Sequence, residues 1–263
     1  MKTDVILPMG REPLSHKPLV EAVFELRWAL KEIQQGVRVD PNYKIMVGRL
    51  YDRIKDKYPF PEPLPTATMP DEIAAYIVQH RFRDSDGGWP LVQIGPGILT
   101  LNDTEKYDWG DFEKRIPYVL NAFFEVYPPK DLVVNGLLLR YIDAIDFDYS
   151  KENIFRYLKR ALKTTVDVPQ SLFDGTGINK GPLAFDLRFS FPSSTPQGAM
   201  HLRFSRGKKA NIDALGWETM VQSIDEHAPK TCNDIMDWVR DAHELTDDWF
   251  FKLIEGELFE RFK

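Results

Sequence analysis

Apolar and polar side chains alternate along residues 18–28, which is the pattern of a β-strand with one buried face. A second stretch, residues 132–141, alternates in the same way and also ends in Leu-Arg followed by an aromatic residue. When the two stretches are aligned on Arg27 and Arg140, the segments that follow them correspond as well. Each reads as a strand, a helix, several strands and a second helix, so the sequence predicts a duplicated unit.

The first unit is predicted to hold two helices separated by strands. Apolar residues recur at helical spacing in two segments, and a proline-rich stretch, residues 58–70, is interpreted as a stiff connector after the first helix. The predicted helices span residues 41–57 and 109–126, and the predicted strands span residues 72–83 and 89–101.

The second unit repeats this order and closes on a long helix. Thr231 and Asp234 approximate a capping box at the start of that helix, and its apolar positions keep helical spacing for roughly five turns. The predicted elements are a strand at 132–148, a short helix near 154–162, strands at 183–191, 199–206 and 209–215, and the closing helix at 231–260.

These elements predict an α+β fold in which helices cover one face of an antiparallel-rich sheet and leave the other face open. By analogy of topology alone, two such units resemble the saddle-like TATA-box-binding fold. The predicted organisation is an N-terminal arm at 1–17 and two α+β halves, 18–130 and 131–263, packed as one globular unit.

Three segments of the sequence resemble a known protein family. They are Pro-Leu-Val-Glu-Ala-Val-Phe-Glu-Leu-Arg at 18–27, Leu-Arg-Tyr-Ile-Asp at 139–143, and Ala-His-Glu at 242–244 before an aromatic-rich helix. Together they look like a sporadically distributed family of uncharacterised bacterial proteins of similar length. The resemblance implies no established activity, cofactor or catalytic residue. The patchy distribution of the family suggests genes that travel with mobile or defence islands.

Composition narrows the class of protein. The 263 residues are 43% hydrophobic, which is ample for a sizeable core, and the net charge is −6. That charge disfavours general affinity for nucleic acid, because nonspecific binding depends on neutralising phosphates. No apolar run approaches the roughly 18 to 20 residues of a membrane span, and the opening residues do not read as a signal peptide. We therefore expect a cytoplasmic protein with no membrane partner.

Candidate catalytic and metal-binding residues give weak patterns. Cys232 is the only cysteine in the sequence and lies at a predicted helix start, five residues after His227, where a catalytic Cys-His pair is conceivable. A packing role is the simpler interpretation. Asp143, Asp146 and Asp148 could offer oxygens to Mg²⁺, but a strand places the first on the opposite face from the other two. The histidines show no metal-ligand spacing. We therefore expect no cofactor and no metal, and favour a protein that is not an enzyme.

The strongest candidate site is a basic sheet face in the second half. On the predicted strand at 183–191 the apolar side chains point one way and leave Arg188 on the other side, and His201 and Arg203 occupy the same face of the next strand. If Tyr141 faces the helices, strand alternation places Arg140 and the apolar side chains that flank it on the opposite face. There they lie beside the basic residues of the two later strands. The predicted binding residues are Val134, Leu138, Arg140, Ile142, Arg188, His201 and Arg203.

An apolar stripe framed by arginines is typical of the centre of protein interfaces. The sequence therefore favours a non-enzymatic binding protein whose open sheet face engages a protein partner or a second copy of itself. Two alternatives use the same residues. One is nucleic-acid binding on the basic face. The other is an enzyme or sensor that binds an anionic small molecule between the halves, with Arg140, Arg188 and His201 as ligands. The simplest interpretation of these residues is a solvent-exposed sheet face whose charged side chains discourage edge pairing.

Overall fold

The computed structural model describes residues 14–104 and 106–263, which form a mixed α+β fold around one large antiparallel sheet. The predicted α+β class is confirmed. The strands are β1 (Leu19–Trp28), β2 (Lys31–Gln34), β3 (Val37–Val39), β4 (Phe60–Pro63), β5 (His80–Arg83), β6 (Leu91–Gly95), β7 (Ile98–Asp103), β8 (Val134–Asp146), β9 (Asp186–Ser194), β10 (Gln197–Lys209) and β11 (Ile212–Ile224).

Nine of the strands described form a single sheet in the order β4-β5-β6-β7-β1-β8-β11-β10-β9. The strands that lead the two predicted halves, β1 and β8, pair antiparallel in its middle, with Val23 opposite Arg140. Strands β4 to β7 lie on the side of β1 away from β8, and strands β9 to β11 lie on the side of β8 away from β1. The sheet is therefore continuous through both halves, and β2 and β3 form a separate small hairpin.

Five helices accompany the sheet in the described residues, and their ends follow local capping rules. The α2 helix starts where Asp108 accepts a hydrogen bond from the backbone N–H of Asp111, and α4 starts where Thr231 accepts one from the N–H of Asp234, as predicted. The helices are α1 (Tyr43–Ile54), α2 (Trp109–Val126), α3 (Ile154–Ala161), α4 (Cys232–Ile254) and α5 (Glu257–Phe262). No helix in the described ranges is long and apolar enough to cross a membrane.

The core lies between the helices and one face of the sheet. A larger cluster joins the buried side chains of α1, α2 and the first half of α4 to alternate residues of β1, β6, β7 and β8, such as Phe24 and Leu139. A smaller cluster joins α3, α5 and the end of α4 to β10 and β11, through Phe204 and Trp217. Because the strand residues in both clusters share one face, the helices cover that face only.

Several predicted boundaries were wrong. The strand predicted at 72–83 is a strand only from His80, because the preceding segment turns at Tyr76 (φ 59°) and passes over β6, where a Cβ on Gly95 would lie 1.9 Å from the carbonyl oxygen of Ile77. The closing helix breaks at Gly256, whose φ of 101° does not fit a helix. The proline-rich connector includes β4.

The predicted arm at 1–17 lies mostly outside the described residues. In its described part, the N–H of His16 donates to the carbonyl oxygen of Phe262 at 2.9 Å, and Lys17 Nζ donates to the carbonyl oxygen of Tyr107 at 3.0 Å. The chain therefore enters β1 from the helix side of the sheet, beside α5 and the start of α2.

Candidate functional site

The sheet face opposite the helices carries most of the residues predicted to bind. We call the part formed by the second half the open face; its residues alternate with core residues such as Tyr141, Trp217 and Phe204. The open face consists of Leu138, Arg140 and Ile142 on β8, Glu218 and Met220 on β11, His201 and Arg203 on β10, and Asp186, Arg188 and Ser190 on β9.

The strand register arranges these residues in two neighbouring rows. One row runs across the sheet through Arg140, Met220, His201 and Ser190. The next row runs through Ile142, Glu218, Arg203 and Arg188. The sequence prediction that Arg140, Arg188, His201 and Arg203 share one face agrees with this register.

Two carboxylates neutralise most of the positive charge. Arg203 binds Asp186 through two nitrogens, Nε at 2.8 Å and Nη2 at 3.0 Å, and donates from Nη1 to Glu218 at 2.7 Å. Arg188 also binds Asp186, with Nη2 at 2.9 Å. Hydrogen bonds from Arg203 and Arg188 hold the pKa of Asp186 well below its usual range. The two outer arginines are therefore engaged within the chain.

Arg140 makes weaker polar interactions within the chain than Arg188 and Arg203 do. Its closest ion pair is Nη1 to Glu218 at 4.0 Å, while Glu218 already accepts the shorter bond from Arg203. Its Nε is buried and has no hydrogen-bond partner among the residues described. A guanidinium has five N–H donors, so Arg140 keeps unused donors in the middle of the open face.

His201, like Arg140, has a buried side-chain nitrogen without a hydrogen-bond partner in the described residues. Its Nδ1 lies 2.8 Å from Ser190 Oγ, but its Nε2 is buried without a hydrogen-bond partner in the described part of the chain. Partial burial lowers the pKa of His201, so the ring is neutral at physiological pH. Neighbouring strands are about 4.8 Å apart, so Arg140 and His201, two strands apart, are separated by roughly 10 Å.

The apolar residues predicted for this face divide into two groups. Leu138 and Ile142 flank Arg140 on the open face, as predicted. Val134 instead lies in the core on the helix side, because a β-bulge between Arg27 and Trp28 shifts the register at this end of β8. The inclusion of Val134 in the open face was therefore wrong.

The sheet face in the first half has the opposite character, because its polar groups satisfy one another. Arg81 donates to Gln93 at 2.7 Å, and Gln93 donates to Asn102 at 3.1 Å. Asn102 in turn donates to Glu21 at 2.7 Å. The contrast leaves the second half as the part of this face with buried polar atoms that lack a partner in the described residues.

A separate polar cluster lies on the helix side, where two of the segments that carry the family resemblance meet. The hydroxyl of Tyr141 lies 2.8 Å from that of Tyr107 and 2.9 Å from Nδ1 of His243, and His243 stacks on Trp109 at 3.6 Å. Burial lowers the pKa of His243 to about 4. We call these four residues the inner polar cluster. It joins β8 to α4 and to the start of α2.

Asp143 lies beside this cluster and is almost fully buried. Burial raises its pKa to about 8, which keeps the carboxyl neutral at pH 7. Its Oδ2, the indole N–H of Trp217 opposite it, and the hydroxyl of Thr219 lack partners among the described residues.

The other chemical candidates do not form a site. Burial raises the pKa of the Cys232 thiol, the reverse of the shift that activates a nucleophile. Asp148 caps the turn at Ser150 through hydrogen bonds of 2.6 and 3.0 Å, and Asp143 lies inside the core. In the described ranges, no group of three or more His, Cys, Asp or Glu residues is placed to hold a metal ion.

Glu218 is an open-face residue that sequence reasoning missed. The last strand was predicted at 209–215, but β11 runs from Ile212 to Ile224 after a tight turn at Ala210 and Asn211, both with positive φ. The alternation of Leu215, Trp217 and Val221 was the signal that could have extended the strand past Glu218.

No protein-family model matches the chain, and no curated protein matches it.

Proposed function

We propose that the protein is a cytoplasmic, non-enzymatic binding protein that engages a protein partner through the open face of the second half. The observation that carries this proposal is the state of Arg140. Arg140 lies between Leu138 and Ile142 on one face of β8, and its buried Nε lacks a partner in the described residues. Arginines in apolar surroundings are enriched at the centres of protein interfaces, where a partner's carbonyl or carboxylate completes their hydrogen bonds.

The charge balance favours a protein over nucleic acid. Around Arg140, on β1 and β8 to β11, four arginines face four carboxylates; they are Arg27, Arg140, Arg188 and Arg203, with Glu21, Glu25, Asp186 and Glu218. A phosphate backbone is held by excess cations whose counterions are released on binding. A face with balanced charge offers no such excess, but its charged pairs can set the orientation of a protein partner.

The pairing of Arg188 with Asp186 disfavours the small-anion alternative. Arg140 and His201 are roughly 10 Å apart across the sheet, and Arg188 is already bound to Asp186. Of the three predicted ligands, Arg188 is therefore paired with a carboxylate that repels an anion. A protein surface can reach each of them separately.

We further propose that the two halves arose by duplication of one unit and that the chain belongs to the sporadically distributed bacterial family it resembles. The strand order supports the duplication: outward from the centre it reads β1-β7-β6-β5 in one half and β8-β11-β10-β9 in the other. An experimentally determined structure tests it by superposing residues 18–127 on 132–258. The duplication requires Arg27 and Arg140 to coincide.

The binding proposal is tested by affinity capture from the organism that encodes the protein. The face variant carries Arg140→Glu. A matched control carries Arg49→Glu, which makes the same change in charge at an exposed position of α1. We expect a protein that is captured by the parent and the control but not by the face variant, with all three folded by circular dichroism. Equal capture by the face variant would show that the open face does not bind it.

A further inference from the structure

The sheet has two edge strands, β4 and β9, and they differ in their ability to accept another strand. An edge strand presents unpaired N–H and C=O groups at every second residue, and natural proteins block such edges with prolines, charges or short strands. The hydrogen bonds to the neighbouring strand show which residues direct their backbone N–H and C=O groups outward from the sheet edge.

The β4 edge is blocked by proline. The N–H of Leu64 donates to the carbonyl oxygen of Gln79 at 2.8 Å, so Phe60, Glu62 and Leu64 face β5. The outward positions between them are Pro61 and Pro63. Because proline has no N–H, β4 cannot donate to an added strand.

The β9 edge is open over its first five residues. The N–H of Arg206 donates to the carbonyl oxygen of Phe185 at 3.3 Å, which places Phe185 and every second residue after it against β10. Asp186, Arg188 and Ser190 therefore direct their backbone groups outward. Within the described ranges, no strand other than β10 pairs with β9. Proline first appears at an outward position at Pro192.

The helix side of this edge is also uncovered. Phe189 and Phe191 stack on each other and are 37% and 42% exposed, although Phe191 also contacts Trp249. Leu183, just before the strand, is 92% exposed. Exposed aromatic residues along an unprotected edge are typical of a surface that another strand covers.

We propose that β9 pairs antiparallel with β9 of a second copy of the chain, with Leu187 opposite Leu187 of the second copy. In this register Asp186 lies opposite Arg188 of the second copy, and Arg188 lies opposite Asp186 of the second copy. Phe189 lies opposite Phe185, and the same register continued beyond the strand brings Phe191 opposite Leu183. Every pair on the helix side is apolar and the charged pairs on the open side are opposite in sign.

The charges select this register among those that the hydrogen bonds allow. Residues whose backbone groups point outward must pair with residues of the same kind in the second copy. The alternative registers therefore differ from this one by a shift of two residues. Centring the pair on Arg188 places two arginines opposite each other, and centring it on Asp186 places two aspartates opposite each other. Like charges directly opposite are destabilising.

The dimer goes beyond the proposed function and does not depend on it. It joins the two open faces into one continuous surface, while Arg140 lies on β8, separated from the β9 edge by β11 and β10. Arg140→Glu is therefore expected to leave the dimer intact, which separates the two proposals experimentally.

The charge pairing is tested by mixing two full-length variants. Asp186→Arg gives a chain with two arginines at these positions, and Arg188→Asp gives a chain with two aspartates. We expect the parent to sediment as a dimer, each variant alone as a monomer, and their equimolar mixture as a dimer, since opposite charges meet only in the mixture. A monomeric parent, a variant that dimerises alone as well as the parent, or a mixture that stays monomeric would overturn the proposal.

A crosslink tests the register without changing these charges. In a chain whose Cys232 is replaced by serine, we introduce Leu187→Cys, and in a control we introduce Phe189→Cys. Residue 187 occupies a non-hydrogen-bonded pair across the proposed dimer axis, where Cα atoms are about 4.5 Å apart, within disulfide range. Oxidation is expected to link Leu187→Cys chains into dimers and to leave Phe189→Cys chains largely unlinked. Equal linking of both variants, or of neither, contradicts the register.

Discussion

The hydroxyl of Tyr141 on β8 lies 2.9 Å from Nδ1 of His243 on α4, so a partly buried hydrogen bond joins the middle of the sheet to the longest helix described. Tyr107 extends the contact to the loop before α2, since its hydroxyl lies 2.8 Å from that of Tyr141. Buried polar networks of this kind favour one packing arrangement over its neighbours, because a shifted helix leaves the groups without partners.

The inner polar cluster predicts a loss of stability in acid. The pKa of His243 is lowered from 6.5 to about 4 by burial. The unfolded state therefore takes up a proton below pH 6.5 that the folded state takes up only near pH 4. The contribution of neutral His243 is fully present above pH 6.5 and is lost as the pH falls toward 4.

Urea unfolding at pH 7 and pH 5 measures this effect. We expect the free energy of unfolding of the parent to fall by on the order of 2 kcal/mol over this range through His243. His243→Gln keeps an acceptor for Tyr141 but does not titrate, so its decrease should be smaller. His80 and His201 also have lowered pKa values and are present in both proteins, so the difference isolates His243. Parallel pH profiles would contradict the assignment.

Asp143 predicts the opposite pH dependence. Burial raises its pKa from 3.8 to about 8, so the folded state holds a proton that the unfolded state loses above pH 3.8. Its contribution to stability is present below pH 3.8 and declines as the pH rises through about 8. Asp143→Asn has nearly the same shape and does not ionise. We expect it to melt several degrees above the parent at pH 8 and close to the parent at pH 4. A variant that melts lower at pH 8 would show that the carboxylate is needed.

The packing of α4 predicts unequal costs of substitution for two of its aromatic residues. Trp238 is buried in the larger core cluster and donates its indole N–H to Ser223 Oγ at 2.8 Å, whereas Phe250 is only partly buried. Replacing Trp238 by alanine should lower the free energy of unfolding by about 3 to 5 kcal/mol, and replacing Phe250 should cost roughly 1 to 2 kcal/mol. Chemical denaturation of both variants checks the order. Similar costs would mean that the smaller cluster is as tightly packed as the larger one.

Local signals explain which elements the sequence could predict. The α2 helix was predicted with both ends correct, at 109 and 126, because Asp108 caps its start and consecutive prolines follow its end. The β10 to β11 turn was misplaced because Ala210 and Asn211 form it without the glycine that usually marks such a turn. The turn at Tyr76 depends on contacts with β6 that are distant in sequence.

The candidate site was predicted in part for the same reason. Strand alternation was enough to place Arg188 and Arg203 on one face, since side-chain direction is a local property. It could not reveal that Glu218 binds Arg203, because Glu218 reaches the site only through the pairing of β10 with β11. The β-bulge that moves Val134 into the core likewise depends on pairing with β1.

The central claim is that the open face binds a protein partner around Arg140. Isothermal titration of the purified partner obtained by capture, against the parent and the single variant Arg140→Glu, tests it most directly. Truncating or reversing a central interface arginine costs about 2 kcal/mol or more, which corresponds to at least a roughly 30-fold increase in Kd. We expect that increase for Arg140→Glu and no change for Arg49→Glu. An Arg140→Glu protein that is folded and binds with the Kd of the parent would contradict the account.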